Sequence, residues 1–316
     1  MCGSSEWKSL ITLDSGFTIE TDVSLKLYTS WLVGGLAEFF ALPKSVDELK
    51  SALLWASKLG HAVSIIGGGT NVLISDDGVR GLTICLRKFS GSQVFEIDTT
   101  RGERRLIIEC LSGTSKSELL KIFLKHRLEP ALFLAGLPGD VGGGIVMNAG
   151  VGEMIRPREF VELTDWIEVL RFPSMDIIRL NKADLQWSYR HCLGWQPGIV
   201  IRAGLSWEVK PADDILARVK QANQVRLSKQ PLDQPSCGSV FVNPVGHKSG
   251  QLIEQCSLKG FQIGGAKVSE KHANFIVNTG KATALDIDSV IKHVQTTVTQ
   301  LQGVDLKTEV VYLGKW

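Results

Sequence analysis

Apolar residues recur along this chain with two different periods, and their alternation predicts an α/β protein. From Ser45 to Leu59 the period is helical: Leu49, Leu53 and Leu54 fall on one side, Ser45 and Glu48 stand at capping-box spacing, and Gly60 supplies the stop. AEFFAL before this helix and HAVSII after it read as strands. The three form a βαβ unit whose second strand runs straight into Gly67-Gly68-Gly69. LTICLR and RLIIEC read as further strands, and a second capped helix begins near Ser115, with Glu118 three residues on and Leu119, Ile122 and Phe123 inward. TDWIEVLRF and DIIRLN predict a hairpin about Pro173 and Ser174, and IVIRAGLSWEV one more strand, giving a mixed sheet.

The pattern changes near Pro211. A helix-like stretch from Asp213 to Val225 leads into the Pro- and Ser-rich KQPLDQPSCGS, and a further helix is expected from about Asp286 to Leu301 among short strands. Two domains are therefore expected, residues 1–211 and 212–316, in keeping with a length of 316 residues.

Composition narrows the class. Apolar residues at 44% and charged residues at 22% describe an ordinary globular chain, and 35 basic against 33 acidic residues, mixed along the length, exclude a nucleic-acid footprint. No apolar run is long enough to span a bilayer, and MCGSSEWKSL lacks the basic start and apolar stretch of a leader, so a cytoplasmic protein is expected. Cys2, Cys85, Cys110, Cys192, Cys237 and Cys256 show no metal-ligand or redox spacing and read as reduced thiols; Cys85 and Cys110 fall in strand-like runs as small hydrophobes. The histidines are scattered, and no metal site is expected.

Two glycine-rich segments carry the candidate chemistry, IIGGGTN at Ile65 to Asn71 and GLPGDVGGG at Gly136 to Gly144. Glycine runs leave N–H groups uncovered and admit positive φ, so they can cradle phosphate oxygens; the plainer reading is a pair of tight turns. The dinucleotide fingerprint fails, because Val72 stands where its third glycine belongs and NVLIS follows where a helix should start. A Walker loop fails at Gly280-Lys281-Ala282.

An ordered set of short motifs resembles one family, the UDP-N-acetylenolpyruvoylglucosamine reductases (UDP-N-acetylmuramate dehydrogenases), in their compact second type. The set comprises Gly67 through Leu73, Leu137-Pro138-Gly139 with Gly142-Gly143 and Met147-Asn148-Ala149-Gly150, Tyr189-Arg190-His191, Lys229-Gln230-Pro231, Gly238-Ser239-Val240-Phe241, and Leu258-Lys259-Gly260 through Ala266. The resemblance implies an α+β chain: an FAD-binding domain of the vanillyl-alcohol oxidase type, built of two α/β subdomains, and a C-terminal α+β substrate domain. It implies NADPH as hydride source and UDP-N-acetylglucosamine enolpyruvate as the small-molecule substrate of a monomeric enzyme. Three positions depart from the family pattern: Leu32 where a basic residue is common, Val151 where an aromatic is usual, and Lys307-Thr308 in place of Glu-Pro.

Carried onto this sequence, the resemblance implies Ser239 as proton donor with Arg190 and Glu309 as partners of the developing enolate. For FAD it implies Ile66, Gly67, Gly68, Gly69, Thr70, Asn71, Gly136, Pro138, Gly139, Gly143, Asn148, Ala149, Gly150 and Arg226; for substrate, Lys229, Asn243, Gln262 and Tyr189. Read without it, Ser239 is a turn serine, Glu309 a solvent-facing carboxylate in the alternating LKTEVVYLG, and Lys229 a solvated charge. Three rival readings are a hydroxy-compound oxidase of the same flavin fold, a serine hydrolase using Ser239 with His272 or His247, and a non-catalytic nucleotide-binding relative. No GxSxG elbow surrounds Ser239, which argues against the hydrolase.

Overall fold

A computed structural model describes residues 9–151 and 157–316 of the chain; Cys2 lies outside the described residues. The first part is a mixed sheet of β1 (Leu10–Thr12), β2 (Thr18–Ser24), β3 (Leu36–Ala41), β4 (Val63–Ile66) and β6 (Val79–Cys85), in the order β1-β2-β3-β6-β4. The helix predicted from Ser45 is α1 (Val46–Leu59), with the Ser45 hydroxyl accepting from Glu48 N at 3.2 Å and Gly60 closing it at φ +71°. The βαβ unit forms with one addition: β6 lies between β3 and β4, parallel to both. Leu49, Leu53 and Ala56 of α1 are buried against Leu82 and Ile84 of β6.

The predicted single mixed sheet divides in two. RLIIEC and IVIRAGLSWEV belong to a second, wholly antiparallel sheet of β7 (Ser92–Asp98), β8 (Arg104–Leu111), β9 (Thr164–Leu170), β10 (Ile177–Asn181) and β13 (Ile199–Glu208), in the order β10-β9-β13-β8-β7. The hairpin about Pro173 is β9–β10. On one face of this sheet pack α2 (Lys116–Lys125), α3 (Pro130–Leu134), α4 (Val141–Val146) and α5 (Ile215–Lys229); Ile215 and Val219 of α5 enter that core, so the packing unit runs past Pro211. The short pair β11 (Gln186–Ser188) and β12 (His191–Leu193) brackets Tyr189 and Arg190.

Downstream, α6 (Ser249–Gln255), the three-stranded β14 (Gln262–Ile263), β15 (Ala266–Val268) and β16 (Ile276–Asn278), and α7 (Ala284–Gln302) share one core. Trp31, Val33 and Leu73 from the first part are buried in that same core. The Trp31 indole donates to Ile276 O at 2.7 Å, and Asn278 Nδ2 donates to Trp31 O at 2.8 Å. The chain then returns: β17 (Val311–Leu313) pairs in parallel with β5 (Val72–Ile74), the strand that leaves the first glycine loop. Among the described residues no helix is long and apolar enough to cross a membrane, and Cys85, Cys110, Cys192 and Cys237 are buried free thiols.

One cap ties the ends of this arrangement. Asp76, just beyond β5, accepts from Ala284 N and Leu285 N at 2.9 Å each, satisfying two orphan donors of α7. Asp76→Ala is expected to lower unfolding stability in urea by about 1 kcal/mol, the ordinary worth of a lost helix cap. An unchanged midpoint would show that the cap is not needed.

Candidate active site

The two glycine segments lie against each other, and one carboxylate joins them. Asp140 is 5% exposed; its Oδ2 accepts from Gly68 N at 2.6 Å and its Oδ1 from Gly143 N at 2.8 Å. The second segment is therefore only partly a loop. Val141–Val146 winds into α4 with Asp140 as its N-cap, because an Asp side chain can satisfy the first free N–H groups of a helix. Glycine is required at close approaches. A Cβ on Gly67 would strike Asp140 Oδ2, and one on Gly69, at φ +66°, would strike Tyr28 O. Arg87 fastens the first segment from outside, donating from Nη2 to Gly68 O at 2.8 Å.

A cavity of about 190 Å³ opens beside these segments, lined by Ile65, Gly67, Ser112, Asp140, Gly143 and Trp195 among others. Ser112 is 2% exposed and its hydroxyl has no hydrogen-bond partner, an orphaned polar atom in the wall of the cavity. A larger surface cavity of about 410 Å³ near Phe17, Phe40 and Lys44 contains none of the expected site residues. We attach the chemistry to the smaller one, whose wall brings residues of both glycine segments together with the unpaired Ser112 hydroxyl.

The first segment also reaches the end of the chain. Asn71 Nδ2 donates to Glu309 O at 2.9 Å, and Glu309 N donates to Val240 O at 2.7 Å, next to Ser239. Glu309 lies two residues before β17 rather than in an alternating strand, and its side chain is 16% exposed, not solvent-facing. Its Oε1 meets Arg190 Nε at 2.8 Å. Arg190, at φ +59°, also donates from Nη2 to Gly150 O at 3.1 Å and lies 4.8 Å from the centre of the Tyr189 ring. Ser239 is half-buried after Gly238 (φ +84°), and its hydroxyl has no partner among the described residues. Arg190, Glu309 and the Ser239 segment thus converge on the glycine cradle.

Other expected residues have different placements. Arg226 of α5 donates to Ala135 O and lies against Gly136, at the start of the second segment. Thr70 lies against Gly139. The buried Asn148 side chain is taken up by Glu159, Ser188 O and Val161 N, so it fixes the loop below Tyr189. Asn243 Oδ1 accepts from Ser249 N at 3.0 Å at the start of α6, and Gln262 Nε2 donates to Gly264 O at 2.8 Å. Lys229 is exposed at the end of α5. Among the described residues no contact joins Lys229, Asn243 and Gln262 to one another. Leu32, at φ +58°, is 47% exposed, and Val151 N donates to Arg158 O at 2.9 Å.

Glycines that tolerate no side chain and an unpaired buried hydroxyl fit a phosphate-bearing cofactor. Residues 37–179 match the family described as FAD binding domain, so the chain is an FAD-binding protein with a second, C-terminal domain. Residues 230–313 match UDP-N-acetylenolpyruvoylglucosamine reductase, C-terminal domain. The UDP-N-acetylenolpyruvoylglucosamine reductase of Synechococcus sp. is 40% identical over 305 residues, spanning 96% of each chain. That of Pediococcus pentosaceus is 38% identical over 292 residues, spanning 92% of this chain and 93% of its own. A crystal structure of the Thermus caldophilus enzyme superposes with a TM-score of 0.73 at 30% identity, covering 92% of this chain and 98% of that one. The chain belongs to the UDP-N-acetylenolpyruvoylglucosamine reductase family.

Burial pushes the Glu309 carboxyl above its ordinary value, and Arg190 pulls it back only in part. A raised value in the folded state favours the protonated form on folding. The stability this contributes is full below the ordinary carboxyl value and is lost as pH rises through the raised one. Glu309→Gln removes that titration at constant shape. Its melting temperature is expected to exceed the parent's at about pH 8, with the difference shrinking toward about pH 4. A constant difference across that range would contradict the assignment.

Proposed function

We propose that this chain reduces the enolpyruvyl double bond of UDP-N-acetylglucosamine enolpyruvate to give UDP-N-acetylmuramate, with NADPH as the source of electrons. The observation that carries the reading is the Arg190–Glu309 pair, which bridges Gly150, just beyond the second glycine segment, and the chain end beside Ser239. Bound FAD supplies the hydride for the β carbon. Ile66 through Asn71, Gly136, Pro138, Gly139, Gly143 and Asn148 to Gly150 would hold it, with Arg226 at the edge near Gly136. Nicotinamide and substrate use one pocket in turn.

Hydride addition at the β carbon drives negative charge toward the substrate carboxylate. Arg190 is always charged, and with Nε on Glu309 and Nη2 on Gly150 its Nη1 is left to meet that carboxylate. Glu309 fixes the guanidinium plane. The Ser239 hydroxyl, a weak acid that requires a charged neighbour or a backbone amide to polarise it, protonates the α carbon. Lys229 is the cation for the substrate diphosphate, and Tyr189, the Asn243 amide N–H groups and the Gln262 carbonyl are neutral contacts. In this reading residues 1–211 form the cofactor domain and 212–316 the substrate domain, with α5 as the element that carries Arg226 and Lys229 between them. We further propose a cytoplasmic monomer, consistent with a nucleotide-linked substrate and unpaired buried cysteines.

Two variants separate the half-reactions. Ser239→Ala is expected to leave flavin bleaching by NADPH near normal and to slow re-oxidation by the enolpyruvyl substrate by several orders of magnitude; equal loss in both halves would count against Ser239 as the acid. Arg190→Met is expected to lower the re-oxidation rate at least about a hundredfold, the usual scale for a preorganised charge donor. A near-normal rate would remove Arg190 from the reaction.

A further inference from the structure

Lys116 opens α2, yet its side chain turns inward and is only 4% exposed. Its Nζ donates to Pro138 O at 2.9 Å, lies 5.4 Å from the centre of the Phe160 ring, and would stand 3.6 Å from a Cβ on Gly139. An ammonium has three N–H donors. Pro138 takes one and the ring faces at most another, so at least one is buried without an acceptor among the described residues. Two charged groups bear on it, Asp140 at the start of α4 and Arg190 between β11 and β12. Both Asp140 oxygens are already taken by the amides of Gly68 and Gly143, with Cys85 and Arg87 beyond them. Glu118, on the same helix, accepts from Ser92 Oγ.

We propose that Lys116 is the buried cation of the cofactor cradle, donating to a diphosphate oxygen of FAD where the second glycine segment passes over it. The proposal rests on the FAD reading and adds a residue that the family motifs do not mark. A buried ammonium short of acceptors is unfavourable, and a phosphate oxygen beside Gly139 removes that penalty. Asp140 serves a separate end: it holds the two segments together without consuming the lysine. The sign of the pH dependence follows. Burial holds the Lys116 ammonium down to about 8, Asp140 and Arg190 acting in opposite senses. A bound diphosphate raises it again, so FAD binding takes up protons near that pH and weakens as pH climbs above it.

The test compares FAD, ADP and riboflavin, the last lacking any phosphate, on the parent protein and on Lys116→Met, which keeps an unbranched apolar stem. The variant is expected to bind FAD and ADP about ten- to a hundredfold more weakly, the worth of a charge-assisted hydrogen bond, and riboflavin unchanged. Equal loss for riboflavin would show a packing role and overturn the proposal, as would undiminished FAD binding. Proton uptake by the parent on binding FAD at about pH 8, read from binding heats in buffers of different ionisation enthalpy, needs no variant; its absence would also overturn the proposal. A parent protein that binds none of the three would sink the FAD reading itself, whereas a parent that binds beside an unaffected variant sinks only the role of Lys116.

Discussion

The last strand of the chain, Val311–Leu313, lies parallel to Val72–Ile74, and this pairing determines where the chemistry can occur. Strand β5 follows the first glycine loop directly, so whatever precedes β17 is delivered to the edge of the cofactor cradle. That residue is Glu309, whose carbonyl is held by Asn71 and whose amide is held by Val240. Held to Asn71, 238 residues earlier in the chain, Glu309 brings its carboxylate to Arg190, which comes from the small β11–β12 hairpin. Three separate pieces of the fold therefore contribute to one site, joined by the β5–β17 pairing, the Asn71 amide on the Glu309 carbonyl and the Arg190–Glu309 ion pair.

Burial at this junction is uneven in a useful way. Trp31, Val33 and Leu73 anchor the first part in the core of the last, an arrangement that resists relative motion of the element bearing Glu309. The cradle itself is polar and imperfectly satisfied: Ser112 has no partner and Lys116 has too few. Polar groups buried without partners are unfavourable in the isolated protein. Collected around glycines that admit no side chain, they favour an anionic cofactor over an empty, tightly closed core.

Much of this was legible in the residues. Capping-box spacings at Ser45 and Ser115 located α1 and α2, the Gly67 and Gly136 segments lie against each other, and the resemblance paired Arg190 with Glu309, which lie 2.8 Å apart. Periodicity misread Glu309 as solvent-facing, because LKTEVVYLG alternates while only its last part is a strand and the carboxylate is buried by a partner outside it. Lys116 reads as a surface residue of an amphipathic helix; its inward turn depends on Pro138 and Phe160, which no local pattern connects to it. Asp140 did leave a signal, since an Asp before Val-Gly-Gly-Gly is a good N-cap, but its bond to Gly68 across 72 residues belongs to tertiary structure. The split of one predicted sheet into two is of the same kind, as strand pairing is set by partners far along the chain.

If the return of the chain end is what positions Glu309, then Asn71 and Glu309 act as one unit in the reduction of substrate. A double-mutant cycle of Asn71→Ala and Glu309→Gln on the anaerobic re-oxidation of the reduced flavin by UDP-N-acetylglucosamine enolpyruvate measures this directly. The expected result is strong non-additivity, with the double variant little slower than Glu309→Gln alone. Additive losses would contradict the account, because Asn71 would then act independently of the residue whose main-chain carbonyl it holds.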